Sequence, residues 1–290
     1  MSQRRIVSLE RAARIWAIPA IHGEAERLAR VHDRIWPDVA PGDRVVYLGN
    51  LIGGGLAADG PAASAGSAGG GGGAGAAGGG TAVRATLDEL LDFRRAVIAM
   101  PGAFACHVVY LRGSQEVMWQ QLLQLQFTPD PVAALNWMAP RGVRATLEAY
   151  GGDVDAGIRA ARAGTVALTR WTGQMRRAMQ QHPGHAELLG RLHNAAESGD
   201  GGALFVHTGL SPDRPLDRQG DLFWWHGGGF KRLTRAYDGY ARVVRGFDPE
   251  GGTPSDDPHK LSLDRGCGRG GPLQAACLDP HGQVLGTVEG

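Results

Sequence analysis

Polar residues of a type that can take part in chemistry follow two apolar segments of this chain. Residues 43–50 read DRVVYLGN and residues 106–116 read CHVVYLRGSQE. Each apolar run stops at a glycine, which is followed by Asn50 in the first segment and by Ser114 and Gln115 in the second. Because catalytic groups of parallel sheets lie beyond the carboxyl ends of the strands, we expect a site here that is built on amides and a hydroxyl.

The elements that must position these residues alternate between strand and helix patterns. Helical patterns cover 24–35 and 87–99, where Thr86 and Glu89 predict a capping box at the start of the second helix. A further helix is predicted through Met118, Leu122 and Leu125. The predicted strands are 14–21, 44–48, 108–111, 203–207, 241–244, 274–278 and 283–288, with a turn at 279–282. This order predicts an α/β protein.

Two stretches depart from the alternation. Residues 53–80 consist almost wholly of Gly, Ala and Ser, which bury too little apolar surface to order themselves. We therefore predict one domain over 1–290, with a flexible Gly/Ala-rich loop at 56–83. Residues 131–198 read as almost wholly helical and are expected to form a helical insert or cap. Trp224, Trp225 and Phe230 are expected in the core or, if exposed, at a protein interface.

Composition limits the classes of partner and compartment. The chain of 290 residues has 30 basic and 29 acidic residues, a formal net charge of +1, which favours neither a nucleic-acid partner nor a membrane partner. Its three cysteines are odd in number and lack metal-type spacing, so a reduced, cytoplasmic setting is expected. We see neither a signal peptide nor an apolar run long enough to span a membrane.

The order of the strand-end residues resembles that of the calcineurin-like metallophosphoesterases. The flanking words are DRVVYLG, VVYLRG followed by Glu116, and FVHTGL at 205–210 with two tryptophans downstream. The nearest branch is that of the serine/threonine phosphoprotein phosphatases and bacterial diadenosine-tetraphosphate hydrolases. The resemblance implies a double β-sheet sandwich flanked by helices, with two divalent metals that activate a water and hold the phosphoryl oxygens.

The same resemblance shows that most of the implied ligands are replaced. The family motif Gly-Asp-x-His-Gly is Pro-Ala-Ile-His-Gly at 19–23, and Gly-Asp-x-x-Asp-Arg-Gly is Gly-Asn-Leu-Ile-Gly-Gly-Gly at 49–55. Gly-Asn-His-Glu is Gly-Ser-Gln-Glu at 113–116, and the final histidine position is a phenylalanine. The altered catalytic positions are Ala20, Gly53, Gln115 and Phe247. The vestigial metal positions are His22, Asn50, Ser114 and His207.

These replacements leave several interpretations open. His22 and His207 are either hydrogen-bonded polar residues or the holders of a single metal, and Asp248 and His226 are alternative ligands. Arg245 is either a phosphate contact or a salt-bridge residue. Our main hypothesis is a pseudophosphatase without a cofactor, which binds a protein partner through the helical insert or a phosphorylated ligand. The alternative is an active phosphoesterase that uses one divalent metal (Mn, Fe or Zn) or substitute ligands.

Overall fold

The structure, a computed structural model, describes residues 6–54, 79–199, 201–251 and 254–290. The predicted flexible loop therefore lies outside the described residues as far as Gly78. Its last part is not a loop, because residues 79–83 belong to a helix that begins at Gly79. Val83 is fully buried in the core cluster between the first sheet and its helices, and this burial favours helix at the end of the small-residue stretch.

The described strands form two sheets. In chain order they are β1 (Ile6–Ser8), β2 (Ile15–Ile18), β3 (Arg44–Tyr47), β4 (Val108–Tyr110), β5 (Ala195–Glu197), β6 (Ala203–Val206), β7 (Arg242–Arg245), β8 (Ser255–Asp257), β9 (Lys260–Ser262), β10 (Gln274–Leu278) and β11 (Val284–Glu289). One sheet has the order β11-β10-β2-β3-β4 and the other β1-β5-β6-β7-β9-β8.

Parallel pairing places the carboxyl ends of neighbouring strands together. In the first sheet β2, β3 and β4 run parallel, and in the second β6, β7 and β9 do so. The carboxyl ends of β2, β3 and β4 therefore lie at one edge of their sheet. The backbone of the two sheets joins at this edge, since the N–H of Ala20 donates to the carbonyl of Gly246 at 3.0 Å.

The helices cover both outer faces. They are α1 (Ala25–Ile35), α2 (Gly79–Ala99), α3 (Ser114–Leu123), α4 (Pro131–Met138), α5 (Val143–Ala149), α6 (Val154–Arg162), α7 (Thr165–Gln180), α8 (His185–Gly190), α9 (Leu222–Trp225) and α10 (Gly228–Lys231). None of the helices in the described part of the chain is both long and apolar enough to cross a membrane.

The core has the layers of a sandwich. Along β3, Val46 packs between the two sheets with Phe205 and Val244, whereas Val45 and Tyr47 pack against the helices on the outside. This alternation follows from the period of two in a strand. The double sheet sandwich flanked by helices is thus the fold that the sequence predicts.

Two further local predictions differ from the structure. Thr86 does not cap a helix: it lies inside α2, and its hydroxyl donates to the carbonyl of Ala82 at 2.9 Å. The helical insert predicted at 131–198 is also shorter than expected, because its last helix ends at Gly190. Residues 195–197 form β5, which pairs with β1 and β6, and its small side chains fit between the layers on either side.

Candidate functional site

Asn50 is the centre of the group of residues beyond the strand ends. It follows β3 with a φ of 49°, a left-handed conformation that asparagine tolerates better than most residues. Its Oδ1 accepts hydrogen bonds from the Ser114 hydroxyl at 3.2 Å and from the Gln115 N–H at 3.0 Å. Its Nδ2 lies 3.5 Å from Nε2 of His22. The structure thus brings these four predicted residues together, and the amide oxygen of Asn50 is already used.

His207, which follows β6, has a defined tautomer. Its Nδ1 lies 2.7 Å from the carbonyl oxygen of Leu48, so Nδ1 carries the proton and donates. Its Nε2 then holds a lone pair and has no hydrogen-bond partner among the described residues. Burial lowers the pKa of His207 to about 4. The imidazole is therefore neutral and its free nitrogen is a potential ligand.

His22, beyond β2, is also neutral and enclosed. Its φ is 55° and its side chain is 2% exposed. Burial lowers the pKa of His22, and electrostatic repulsion from His207 and Arg269 lowers it further, to about 3. Its Nδ1 finds no hydrogen-bond partner within the described residues.

Phe247 packs against both imidazoles. Its ring centroid lies 5.2 Å from that of His22 and 5.3 Å from that of His207, and the rings of Phe247 and His207 are stacked at 8°. The guanidinium of Arg269 lies 4.9 Å from the Phe247 centroid. An apolar ring thus occupies the neighbourhood of both histidines, where the resemblance implies another metal-ligating imidazole.

Gln115 is directed toward the helical region. Its Nε2 donates to the carbonyl of Arg141 at 2.7 Å, and its Oε1 has no partner among the described residues. A Cβ at Gly53 would lie 2.4 Å from this Oε1, so a side chain there would force Gln115 to move, and the φ of 91° at Gly53 also favours glycine. Ala20 is buried and offers a methyl group where the family has a carboxylate.

Arg245 has internal partners. Its Nη2 donates to Oδ2 of Asp248 at 2.6 Å and its Nε donates to the Ser262 hydroxyl at 3.0 Å. Its guanidinium lies 4.2 Å from the ring centroid of Phe230, and burial lowers its pKa. The sequence left open whether Arg245 contacts a phosphate or forms a salt bridge. In the structure Arg245 forms a salt bridge with Asp248.

The proposed replacement ligands are not placed for that task. Asp248 is 1% exposed and uses Oδ2 for Arg245 and Oδ1 for the N–H of Glu250. His226 is exposed at the end of α9. Of the three aromatic residues expected in the core, Trp224 and Phe230 are buried in the layer outside the second sheet, whereas Trp225 is only half-buried.

Glu116 belongs to the motif words of the sequence analysis, but its part in holding the site together was not predicted. Its side chain is buried and accepts four backbone N–H hydrogen bonds, from Asn50 and Gly113 at Oε2 and from Leu51 and Ile52 at Oε1. Burial raises the pKa of Glu116, and these hydrogen bonds oppose the rise. The glutamate thus fixes the loop that carries Asn50. The sequence feature that could have predicted this role is a glutamate three residues after Gly113, the N-cap residue of α3.

The residues present do not fit a pair of divalent metals. Catalytic sites generally offer three good protein ligands to each metal. The candidate metal ligands at the strand ends of the described chain are two neutral imidazoles, and the Asn50 oxygen already accepts two hydrogen bonds. Within the described ranges, no group of three or more His, Cys, Asp or Glu side chains is arranged to hold a metal ion.

Solved structures of low sequence identity share the fold. A protein described as a diadenosine tetraphosphatase is 17% identical, with a TM-score of 0.50 and coverage of 99% of this chain and 98% of that chain. A serine/threonine phosphatase from Saccharomyces cerevisiae, similar to human PP5, is 11% identical, with a TM-score of 0.50 and coverage of 99% and 83%. A cold-active protein-tyrosine phosphatase of a psychrophilic Shewanella species is 12% identical, with a TM-score of 0.50 and coverage of 99% and 84%.

These similarities establish the fold and nothing finer. The first two neighbours are calcineurin-like metallophosphoesterases, so the chain has the fold of that group. No protein-family model matches the chain, and no curated protein matches it in sequence.

Proposed function

We propose that this chain is a degenerate metallophosphoesterase, a pseudophosphatase that keeps the fold and acts by binding. The observation that carries the proposal is the donor set at the strand ends. His22 and His207 are neutral, Asn50 is engaged with Ser114 and Gln115, and Phe247 packs where another ligand would lie. Such a set lacks the negative charge that two adjacent cations require.

The binding partner that we propose is a protein, which docks on the helical region. Trp137 on α4 is 43% exposed and Val166 on α7 is 69% exposed, while Phe127, just before α4, is 80% exposed. All three lie in or directly before the helices α4 to α7, and exposed apolar side chains are the kind of group that a protein partner would cover. The alternative, a phosphorylated ligand at the strand ends, is less favoured because Arg245 is held by Asp248 and Ser262.

We further propose that the protein works without a cofactor, in the cytoplasm, and with neither nucleic acid nor membrane as its partner. The near-zero net charge of +1 supports the exclusion of polyanionic surfaces. Cys106, Cys267 and Cys277 are all free thiols, which suits a reducing compartment.

The direct test is turnover. The purified chain is assayed with Mn²⁺ against p-nitrophenyl phosphate, a phosphopeptide and diadenosine tetraphosphate. We expect rates that do not change in a His22→Ala, His207→Ala double variant. Robust hydrolysis that disappears in the double variant would refute the proposal.

A variant with restored ligands supplies the positive control for metal binding. Ala20→Asp, Asn50→Asp and Phe247→His together return two carboxylates and one imidazole to the neighbourhood of His22. By calorimetric titration we expect this variant to bind Mn²⁺ and the natural chain to bind none. A natural chain that binds Mn²⁺ as tightly as the restored variant would contradict the proposed loss.

The second candidate function is a phosphoesterase that works with one metal. One observation favours it: Nε2 of His207 holds a lone pair in a buried position and has no hydrogen-bond partner among the described residues. This candidate predicts about one equivalent of Mn, Fe or Zn in protein purified without chelators. Elemental analysis that finds less than about one-tenth of an equivalent, with no activity on added metal, would exclude it.

A further inference from the structure

A second candidate binding site lies in the connection between β6 and β7. A cavity of about 810 Å³ opens there between residues 212–215 and residues 232–238. Its volume falls in the range of small-molecule and peptide sites, roughly 300–1,000 Å³. None of its lining residues belongs to the group beyond the strand ends.

The two walls of this cavity are tied together by buried hydrogen bonds. Gln219 is 1% exposed, and its Nε2 donates to the carbonyl of Arg214 and to the Tyr237 hydroxyl, both at 2.7 Å. The Tyr237 hydroxyl in turn donates to the carbonyl of Arg214 at 2.8 Å. The N–H of Leu216 donates to Asp238 across the same junction at 3.0 Å. The walls are therefore held in place before any ligand binds, which favours affinity.

The cavity carries positive charge that its own residues do not neutralise. Three arginines line it, and one of them, Arg232, is paired with Asp213 at 2.8 Å. Asp238 lines it too and is engaged by a backbone N–H. Arg214 and Arg235 are exposed and have no acidic partner among the described residues. Two guanidinium groups thus remain available to an anion.

The chemistry of the lining selects the kind of anion. Guanidinium groups match the planar fork of phosphate oxygens. Tyr237 is the one aromatic residue of the lining; it is 5% exposed and its hydroxyl is engaged, so no ring is available to stack a nucleobase. Pro212, Pro215 and Leu233 supply apolar wall, which suits the side chains that flank a phosphorylated residue.

We propose that this cavity binds a phosphoserine or phosphothreonine in an extended segment of a partner protein, between Arg214 and Arg235. Recognition of phosphorylated segments by arginine clusters is a common mode of peptide binding. The site does not depend on the fate of the metal ligands, so it stands whether or not the strand ends hydrolyse a substrate.

The test is fluorescence anisotropy with the full chain. The probe is a fluorescein-labelled pool of nine-residue peptides with phosphoserine at the centre and mixed residues elsewhere. Two further measurements are made: one with the same pool carrying unmodified serine, and one in which AMP competes with the phosphorylated pool. The test variant is Arg214→Gln, Arg235→Gln. Its matched control is Arg162→Gln, Arg170→Gln, which removes the same charge from exposed positions on α6 and α7. A third variant, Arg214→Lys, Arg235→Lys, keeps the charge.

We expect saturable binding of the phosphorylated pool alone, weakened about tenfold or more in the Gln pair and less than about twofold in the control pair. The Lys pair is expected to fall between them, because it keeps the charge and loses the fork. Binding of both pools alike, equal weakening in the two Gln pairs, displacement by AMP at lower concentration than by phosphopeptide, or no binding of the phosphorylated pool would each overturn the proposal.

Discussion

The hydrogen bonds of Glu116 give the sharpest prediction of stability. In Glu116→Gln one carboxylate oxygen becomes an NH₂ group. Each oxygen accepts two backbone N–H groups, at 2.7 and 3.0 Å for Oε2 and at 2.8 and 3.2 Å for Oε1. Two buried N–H groups therefore lose their acceptor and face a donor instead. At about 1–3 kcal/mol for each, the free energy of unfolding should fall by about 2–6 kcal/mol.

Urea unfolding followed by tryptophan fluorescence measures this loss. Glu148→Gln is the matched control, because Glu148 is exposed on α5 and its ion-pair partner Arg144 is 3.9 Å away. We expect the control to change the free energy of unfolding by no more than about 0.5 kcal/mol. If Glu116→Gln costs no more than the control, the carboxyl group is protonated in the native state, and its proposed role in holding the Asn50 loop is wrong.

Three other perturbations have defined outcomes. The pKa values of His22 and His207, about 3 and about 4, lie below the usual 6.5. As the pH falls from 6.5 to about 4, only the unfolded state takes up these two protons, so the free energy of unfolding should fall over this range. In the His22→Leu, His207→Leu variant, the slope of the free energy of unfolding against pH, measured with urea, should be smaller by up to about 2.7 kcal/mol per pH unit. Tyr150→Phe should cost about 1–3 kcal/mol in the same assay, because Nδ1 of buried His185 loses a partner at 2.9 Å. Gly113→Ala should lower the melting temperature, since a Cβ there would lie 2.3 Å from a backbone nitrogen, whereas Gly190→Ala, with open space around it, should not.

The sequence predicted the strands and helices that are marked by a pattern within their own residues. The strands β2, β3 and β4 are apolar runs that end at glycine or small residues, and each was located to within a few residues. Four strands were missed, namely β1, β5, β8 and β9, because each has only three residues and so carries little local signal. The pairing of β1 with β5 and of β9 with β7 also joins segments that are separated in the chain. The capping box at Thr86 failed for a related reason: burial of Val83 extends α2 past the local signal.

The sequence predicted which residues lie together at the strand ends, but only part of their arrangement. The proximity of Asn50, Ser114, Gln115 and His22 followed from the family pattern. What the sequence could not give was the state of each group, because that depends on contacts between remote segments. The bond from Glu116 to Leu51 spans 65 residues, and the ring of Phe247 meets His22 from 225 positions away in the chain (247 − 22).

Under the proposed function, the replacements at the strand ends are chemically coupled. Had the aspartates stayed without metals, buried carboxylates would lie unpaired, which costs several kcal/mol for each. Had the metals stayed without the aspartates, two cations would lie close together beside neutral imidazoles. Alanine at Ala20, an amide at Asn50 and a phenyl ring at Phe247 remove the negative charge and fill space in the same step. Burial is the main cause of the low pKa values of His22 and His207, and it leaves both imidazoles neutral. The two imidazoles, the amide and the hydroxyl of the site are thus uncharged, and the charged groups beside them have partners of their own: Glu116 accepts four backbone N–H groups and Arg269 lies 3.3 Å from Asp264. This balance is the reason for our proposal that the protein acts by binding at its surface.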